Sequence, residues 1–130
     1  MNKAYEVKDN LKEYGFPLLR IALALVFLWF SISQLIAPND WTGYLPGFIQ
    51  NIKNVDPIIF IYTNAIFELV FAVLLILGIF TKISAFLLGI HLLGISISLG
   101  WNAIAIRDYG LAFATLAIAL NGPDRFCLKK

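Results

Sequence analysis

The chain is built from long apolar runs separated by short polar breaks, not from residue-by-residue alternation. The first run spans about Pro17 to Ala37 and stops at Pro38. The second is Ile58 to Phe80, the third Ile83 to Leu99 and the fourth Ala103 to Leu120. Asn121-Gly122-Pro123 closes the fourth, with Gly and Pro in the order that ends a helix. Each run falls within the length range of a membrane-spanning helix, about 17–25 residues. A tight turn at Thr81-Lys82 is expected between the second and third runs, and Gly100-Trp101-Asn102 forms the next. The pattern predicts an all-α membrane protein: a four-transmembrane-helix bundle forming one membrane domain over residues 1–130, with an N-terminal segment 1–15 and a tail 121–130.

Residues 38–57 are the one long connection. Trp41, Tyr44 and Phe48 are aromatics of the type that anchor at headgroup depth. Pro46 is placed to start a short helix with Phe48, Ile49 and Ile52 on one face and Gln50, Asn51, Lys53 and Asn54 elsewhere. This predicts an interfacial segment lying across the bundle; an irregular loop with ordinary anchors is the other reading.

Charge adds an orientation. Lys3, Lys8, Lys12, Lys82, Arg125, Lys129 and Lys130 fall on one side, with Arg20 just inside it, while Lys53 and Arg107 fall on the other. The positive-inside rule then places both termini in the cytoplasm and the long loop outside, in a multi-pass protein of the cell membrane. The opening residues mix lysines with Glu6, Asp9 and Glu13, and the run that follows is too long for the core of a cleavable signal.

Composition narrows the function classes. Only 14% of the 130 residues are charged and 60% are hydrophobic, against about 25% charged in soluble domains. Four spans leave no room for a soluble catalytic domain. A net charge of +2, with no basic stripe interleaved with aromatics, argues against nucleic acid. Cys127, the single cysteine, reads as a free thiol on the tail, and no Cys/His spacing indicates a metal site. His91 is the single histidine, so a haem held by two histidines would need a second copy of the chain; a satisfied interior histidine is the simpler reading.

Each span carries polar or small residues at helical spacing. In the first they are Arg20, Ala24, Phe27, Ser31 and Gln34; in the second, Asn64 and Glu68; in the third, Ser84, Leu88, His91 and Ser98 beside Gly94; in the fourth, Arg107, Gly110, Ala114, Ala117 and Asn121. Residues three and four apart share a face, lipid favours apolar side chains, and small residues allow close helix approach, so these stripes are expected to turn inward.

Glu68 raises the sharpest question, because an acid at the middle of a span costs roughly 2.5–3.5 kcal/mol on insertion scales. It lies roughly 15 Å from its helix start, and His91 reaches a similar depth from the opposite side. Arg107 lies roughly 6 Å in and is long enough to point down to Glu68. Asp108 projects about 100° away from its neighbour and is expected to meet the loop or the interface. Arg20 is expected to snorkel at the inner surface. The candidate polar site is therefore Glu68, Arg107, His91, Asn64 and Gln34, with Asp108 and Arg20 as further candidates. Two readings stand open. In one, Glu68 and Arg107 form a buried ion pair that fixes helix register, and Arg107→Ala costs more stability than Glu68→Gln. In the other, the cluster is a pocket for the polar head of a small apolar ligand, or handles protons.

The segments LLRIALALVFLWFSISQLIAPNDWTGYLP, Glu68 followed by LLILGIFTK, and RDYGLAFATLAIALNGPDRF resemble the DoxX family of small four-helix membrane proteins. That resemblance covers nearly the whole chain from Pro17 onward. It implies a membrane subunit or partner of a redox or thiol-stress complex; the family name comes from a subunit of a thiosulfate:quinone oxidoreductase. It also implies that Arg20, Glu68, Arg107 and Asp108 occupy positions where the family often has the same residue types. Family members often carry Gly and Lys at the end of the first span, where this chain has Ser31 or Ser33 and Gln34, so a role resting on that lysine is in question here.

Three functions follow as expectations. The first is a membrane subunit of a redox complex that binds quinone or another lipid-soluble molecule. The second is a non-enzymatic scaffold or assembly partner. The third is a small-molecule or proton carrier, against which the chain shows no inverted repeat. No nucleotide loop, thiol pair, nucleophile–base set or metal cluster is visible, so no cofactor is intrinsic beyond a bound quinone or lipid, and redox chemistry would require such a molecule or another subunit. The partners to expect are the lipid bilayer and either a redox protein or a second copy of the chain.

Overall fold

The structure, a computed structural model, describes residues 11–45, 51–52 and 56–128. Four α-helices dominate it: α1 (Gly15–Ile36), α2 (Pro57–Leu77), α3 (Thr81–Leu99) and α4 (Ala103–Asn121). A 3-10 helix at Pro38–Tyr44 follows α1, and no strand occurs among the described residues. All four helices are long and apolar enough to cross a membrane. The helix proposed to start at Pro46 lies outside the described residues.

The boundaries have local causes. Pro38 cannot continue α1 and instead opens the 3-10 helix. Asp56 caps α2 by accepting from the Ile58 amide at 3.0 Å, with Pro57 at the first helical position. Asn102 caps α4 in the same way, accepting from the Ala105 amide at 2.8 Å. The turn between α2 and α3 comes earlier than the sequence suggests. Gly78 takes φ +74, which ends α2 at Leu77, and Thr81 and Lys82 are already in α3.

Consecutive helices run in opposite directions, packed as two closely apposed pairs, α1 with α2 and α3 with α4. The α2–α3 contact is less extensive. Only about a third of each span is buried within the protein, and large apolar side chains face outward on every helix, including Trp29, Val70, Phe86 and Phe113. Such a surface is suited to lipid and not to water.

The interior is made of small residues and a few large ones. Ala24, Ala65, Ala72, Ala85, Ala105 and Ala112 are fully buried among Phe27, Leu75, Leu88 and Ile118. The close α3–α4 approach rests on Gly89: a methyl there would meet the Leu116 side chain at 2.8 Å and the Ala112 carbonyl at 3.3 Å. Gly110, expected at this contact, has open space around it. The inward stripe of α4 is Ala105, Asp108, Ala112, Thr115 and Ala119, one residue away from the stripe predicted on Arg107 and Gly110.

Arg20 also departs from expectation. It does not snorkel but is 1% exposed. Its Nη1 donates to the carbonyls of Leu75 and Ile76 at 2.7 and 2.9 Å, which caps the C-terminal end of α2 with a positive charge. Its Nε donates to Asp124 Oδ2 at 2.8 Å. The segment after α4 folds back to meet it: the Leu128 amide donates to the Leu77 carbonyl. Cys127 is half-buried, its sulfur accepting from the Asp124 amide at 3.3 Å and lying 3.4 Å from Thr81 Oγ1. It is a free thiol, as expected, but one packed against Gly78 and not loose on the tail.

Candidate functional site

Four of the candidate residues meet between α1, α2 and α3. Asn64 and Glu68 share a face of α2 one turn apart, and Gln34 enters from the last turn of α1. Asn64 Nδ2 donates to Gln34 Oε1 at 2.7 Å and to Glu68 Oε1 at 3.3 Å. Gln34 Nε2 donates to Glu68 Oε2 at 3.3 Å and to its own helix at the Phe30 carbonyl, at 3.2 Å. His91, from α3, makes a hydrogen bond through Nε2 to Asn64 Oδ1. An amide oxygen only accepts, so Nε2 carries the proton. That same nitrogen stands 3.8 Å from Glu68 Oε1. Phe67 stacks against the imidazole, ring centroids 4.6 Å apart. Glu68 is thus buried at 4% exposure and accepts on both oxygens.

Arg107 is not part of this cluster. Its side chain is 57% exposed, with Nε 3.5 Å from Asp108 Oδ1 and Cζ 5.9 Å from the Phe30 ring centre. The expected Glu68–Arg107 ion pair is therefore absent. Neighbouring helical residues can point only one of their number inward. The long guanidinium stem reaches polar surroundings from a lipid-facing position, and the short aspartate cannot. Asp108 consequently takes the inward place, 7% exposed, and joins the site that the sequence assigned to its neighbour. Arg20 belongs to the opposite end of the bundle, with Asp124, and not to this site.

These residues border a cavity of about 640 Å³. Its lining comes from all four helices: Phe30 and Gln34 of α1, Phe60, Thr63, Asn64, Phe67 and Glu68 of α2, Ile90, His91, Gly94, Ile95 and Ser98 of α3, and Ile104 and Asp108 of α4. Trp41 and Leu45, on the connection after α1, close it from the loop end. Thr63, Ile90, Gly94 and Ser98 are exposed on the outer surface as well as lining the cavity. The α2–α3 seam is thus open along the side of the bundle that faces lipid. Among the described residues no group of three or more His, Cys, Asp or Glu is arranged to hold a metal ion.

The arrangement is an apolar cleft with a polar wall. Two amides, an imidazole and two carboxylates form a polar surface on one side of a space whose remainder is apolar. Pockets of this size and composition suit small ligands. Sequence reasoning missed Asp108 as an inward residue; the signal available was the spacing Ala105, Asp108, Ala112 and Thr115, small or short-chained at every step.

No curated protein and no solved structure matches the chain. A family model described as DoxX matches residues 15–101, from the start of α1 to just past α3, which is more than half of the chain. The match takes in Gln34, Asn64, Glu68 and His91 and stops before α4. The chain belongs to the DoxX family.

Proposed function

We propose that this protein is a membrane subunit or partner of a redox complex and holds a quinone or similar lipid-soluble molecule in the cleft between α2 and α3. The observation that carries the reading is the joining of one apolar cavity of about 640 Å³ to the hydrogen-bonded wall of Gln34, Asn64, Glu68 and His91. A quinone suits such a cleft because its ring and tail need apolar surroundings while its polar head lies against the polar wall. The seam open toward lipid suits a molecule that arrives through the bilayer. When bound, the quinone would supply the redox chemistry; the chain's own residues orient its head and exclude water from it. The lysine and arginine distribution supports a multi-pass placement in the cell membrane with both termini in the cytoplasm.

Extraction tests this directly. Protein purified in a mild detergent is treated with organic solvent and analysed by mass spectrometry. The expected result is a quinone or comparable lipid at close to one per chain, reduced severalfold in Asn64→Leu. Recovery no higher than from an unrelated four-helix membrane protein sinks the ligand reading.

A second reading has its own support. The chain of hydrogen bonds from Gln34 through Asn64 to His91 ties α1, α2 and α3 together without any ligand, which suits a scaffold that docks another subunit or a second copy. Its signature is an empty extract combined with a large loss of stability in Asn64→Leu.

A further inference from the structure

The two helix pairs meet along two seams. One is the α2–α3 seam of the cleft. The other lies between α1 and α4, whose contact is also less extensive than the contact within each pair. Where α1 begins and α4 finishes, this second seam ends in a hollow of about 360 Å³. Its lining includes buried Pro17 and half-buried Asp124, and Lys12, Phe16, Asn121 and Arg125 stand exposed around it. The two acids that border it are both paired, Asp124 with Arg20 and Glu13 with Arg125. Lys12 makes no ion pair among the described residues, so the hollow keeps one uncompensated positive charge. Arg125 is held over the rings of Tyr14 and Phe126, 5.8 and 5.4 Å from their centres, and uses Nη1 on Glu13. Asn121 places one amide N–H on the Gly122 carbonyl at 3.3 Å, which leaves the other to donate elsewhere.

The ends of two membrane spans lie at the level of lipid headgroups. A free ammonium and a guanidinium with unused N–H groups at that level are suited to a phosphate. We infer that the hollow is a binding site for an anionic phospholipid, with Lys12, Arg125 and Asn121 donating to its headgroup phosphate. The occupant is a lipid and not a soluble phosphate because Phe16 and Leu18, on the first turn of α1, present exposed apolar surface beside these donors, and acyl chains cover such surface. It is an anionic lipid and not a zwitterionic one because the charge left over in the hollow is positive. Bound there, the lipid bridges the α1–α4 seam at the end held by Arg20 and Asp124, away from the cleft. The site is independent of whatever the cleft binds.

The test titrates the full chain in a mild detergent with phosphatidylglycerol or phosphatidylcholine of identical acyl chains and follows the first bound lipid by native mass spectrometry. Phosphatidylglycerol is expected to bind at least about fivefold more tightly, the effect of one uncompensated cation near a headgroup. In Lys12→Gln, which removes an exposed and unpaired side chain, the ratio is expected to fall to about twofold or less. Lys53→Gln removes the same charge from the connection between α1 and α2 and is expected to keep the parent ratio. Equal affinities for the two lipids in the unaltered protein overturn the inference, as does a ratio unchanged in Lys12→Gln. Equal falls in Lys12→Gln and Lys53→Gln also overturn it, because net charge alone then accounts for the preference. Glycerophosphate is titrated in the same way; binding as tight as that of phosphatidylglycerol assigns the hollow to a soluble phosphate and overturns the lipid.

Discussion

Arg20 Nε donates to Asp124 Oδ2 at 2.8 Å, joining the first turns of α1 to the segment that follows α4. The same guanidinium caps two carbonyls at the end of α2, so one side chain ties three parts of the bundle together. Removing it leaves the Asp124 carboxylate without its counter-charge and takes a donor from each of the Leu75 and Ile76 carbonyls.

Arg20→Met is therefore expected to lose about 3–5 kcal/mol of stability, the range for breaking one side of a buried pair. Arg20→Met combined with Asp124→Leu should recover part of that loss, because the stranded carboxylate is gone. Thermal unfolding in detergent measures both, and additive losses in the double variant contradict the pairing.

Acid should act through the same pair. Burial pushes the Asp124 carboxyl up, but the Arg20 hydrogen bond, the Phe126 amide, the Arg20 charge and the Cys127 thiol pull it down, leaving it below its ordinary value of 3.8. A folded value below the unfolded one means that the contribution is whole above about pH 4 and is lost as pH falls through the folded value. The melting temperature of the unaltered protein should drop below about pH 4, and Asp124→Asn should flatten that drop. Parallel pH profiles for the two proteins contradict this.

Glu68 and Arg107 should behave oppositely to a buried ion pair between them. Arg107 is exposed, so Arg107→Ala is expected to change stability by no more than about 0.5 kcal/mol. Glu68→Gln replaces one of two accepting oxygens with an NH2 that faces a donating amide, and should cost about 1–3 kcal/mol. The order of the two melting temperatures is the readout, and it reverses the order that a Glu68–Arg107 lock predicts.

Gly78 and Gly94 form a matched contrast. At Gly78 an added Cβ would meet Cys127 Cα at 2.5 Å, in a backbone with φ +74. Gly78→Ala should cost at least about 1–2 kcal/mol from the backbone alone and make Cys127 react faster with a maleimide. Gly94 has open space and an ordinary helical backbone, so Gly94→Ala should be neutral or stabilising by up to about 1 kcal/mol. Equal thiol labelling rates in Gly78→Ala and the parent chain argue against the packing of Cys127 on this turn.

Much of the bundle was legible in the sequence because spans announce themselves by length. The α1 stripe was legible as well: Arg20, Ala24, Phe27, Ser31 and Gln34 are all buried, since polar residues in that helix fall on a single face. The meeting of Glu68 and His91 followed from their similar depth on their own helices, and Asn64 joined them from its place one turn from Glu68. In α4 the same logic failed. Arg107 and Asp108 compete for one inward place, and charge pairing with Glu68 favoured the arginine, whereas side-chain reach favours the aspartate. A stripe of small residues does not discriminate, because lipid accepts them as readily as a helix does: Gly110 is exposed, while Ala114 packs partly against the core. The Arg20–Asp124 pair was invisible for another reason: nothing local to either residue points to a partner at the far end of the chain.

That separation has a consequence for how the protein is made. Asp124 is synthesised 104 residues after Arg20. At about 5–20 residues per second the arginine must wait roughly 5–20 s for its counter-charge. During that interval α1 is already in the membrane with a cation that has the Leu75 and Ile76 carbonyls of α2 as acceptors but lacks its counter-charge. Assembly of this end is therefore obliged to follow insertion of α4, and the segment after it acts as a latch that closes only on a chain whose four helices have all arrived.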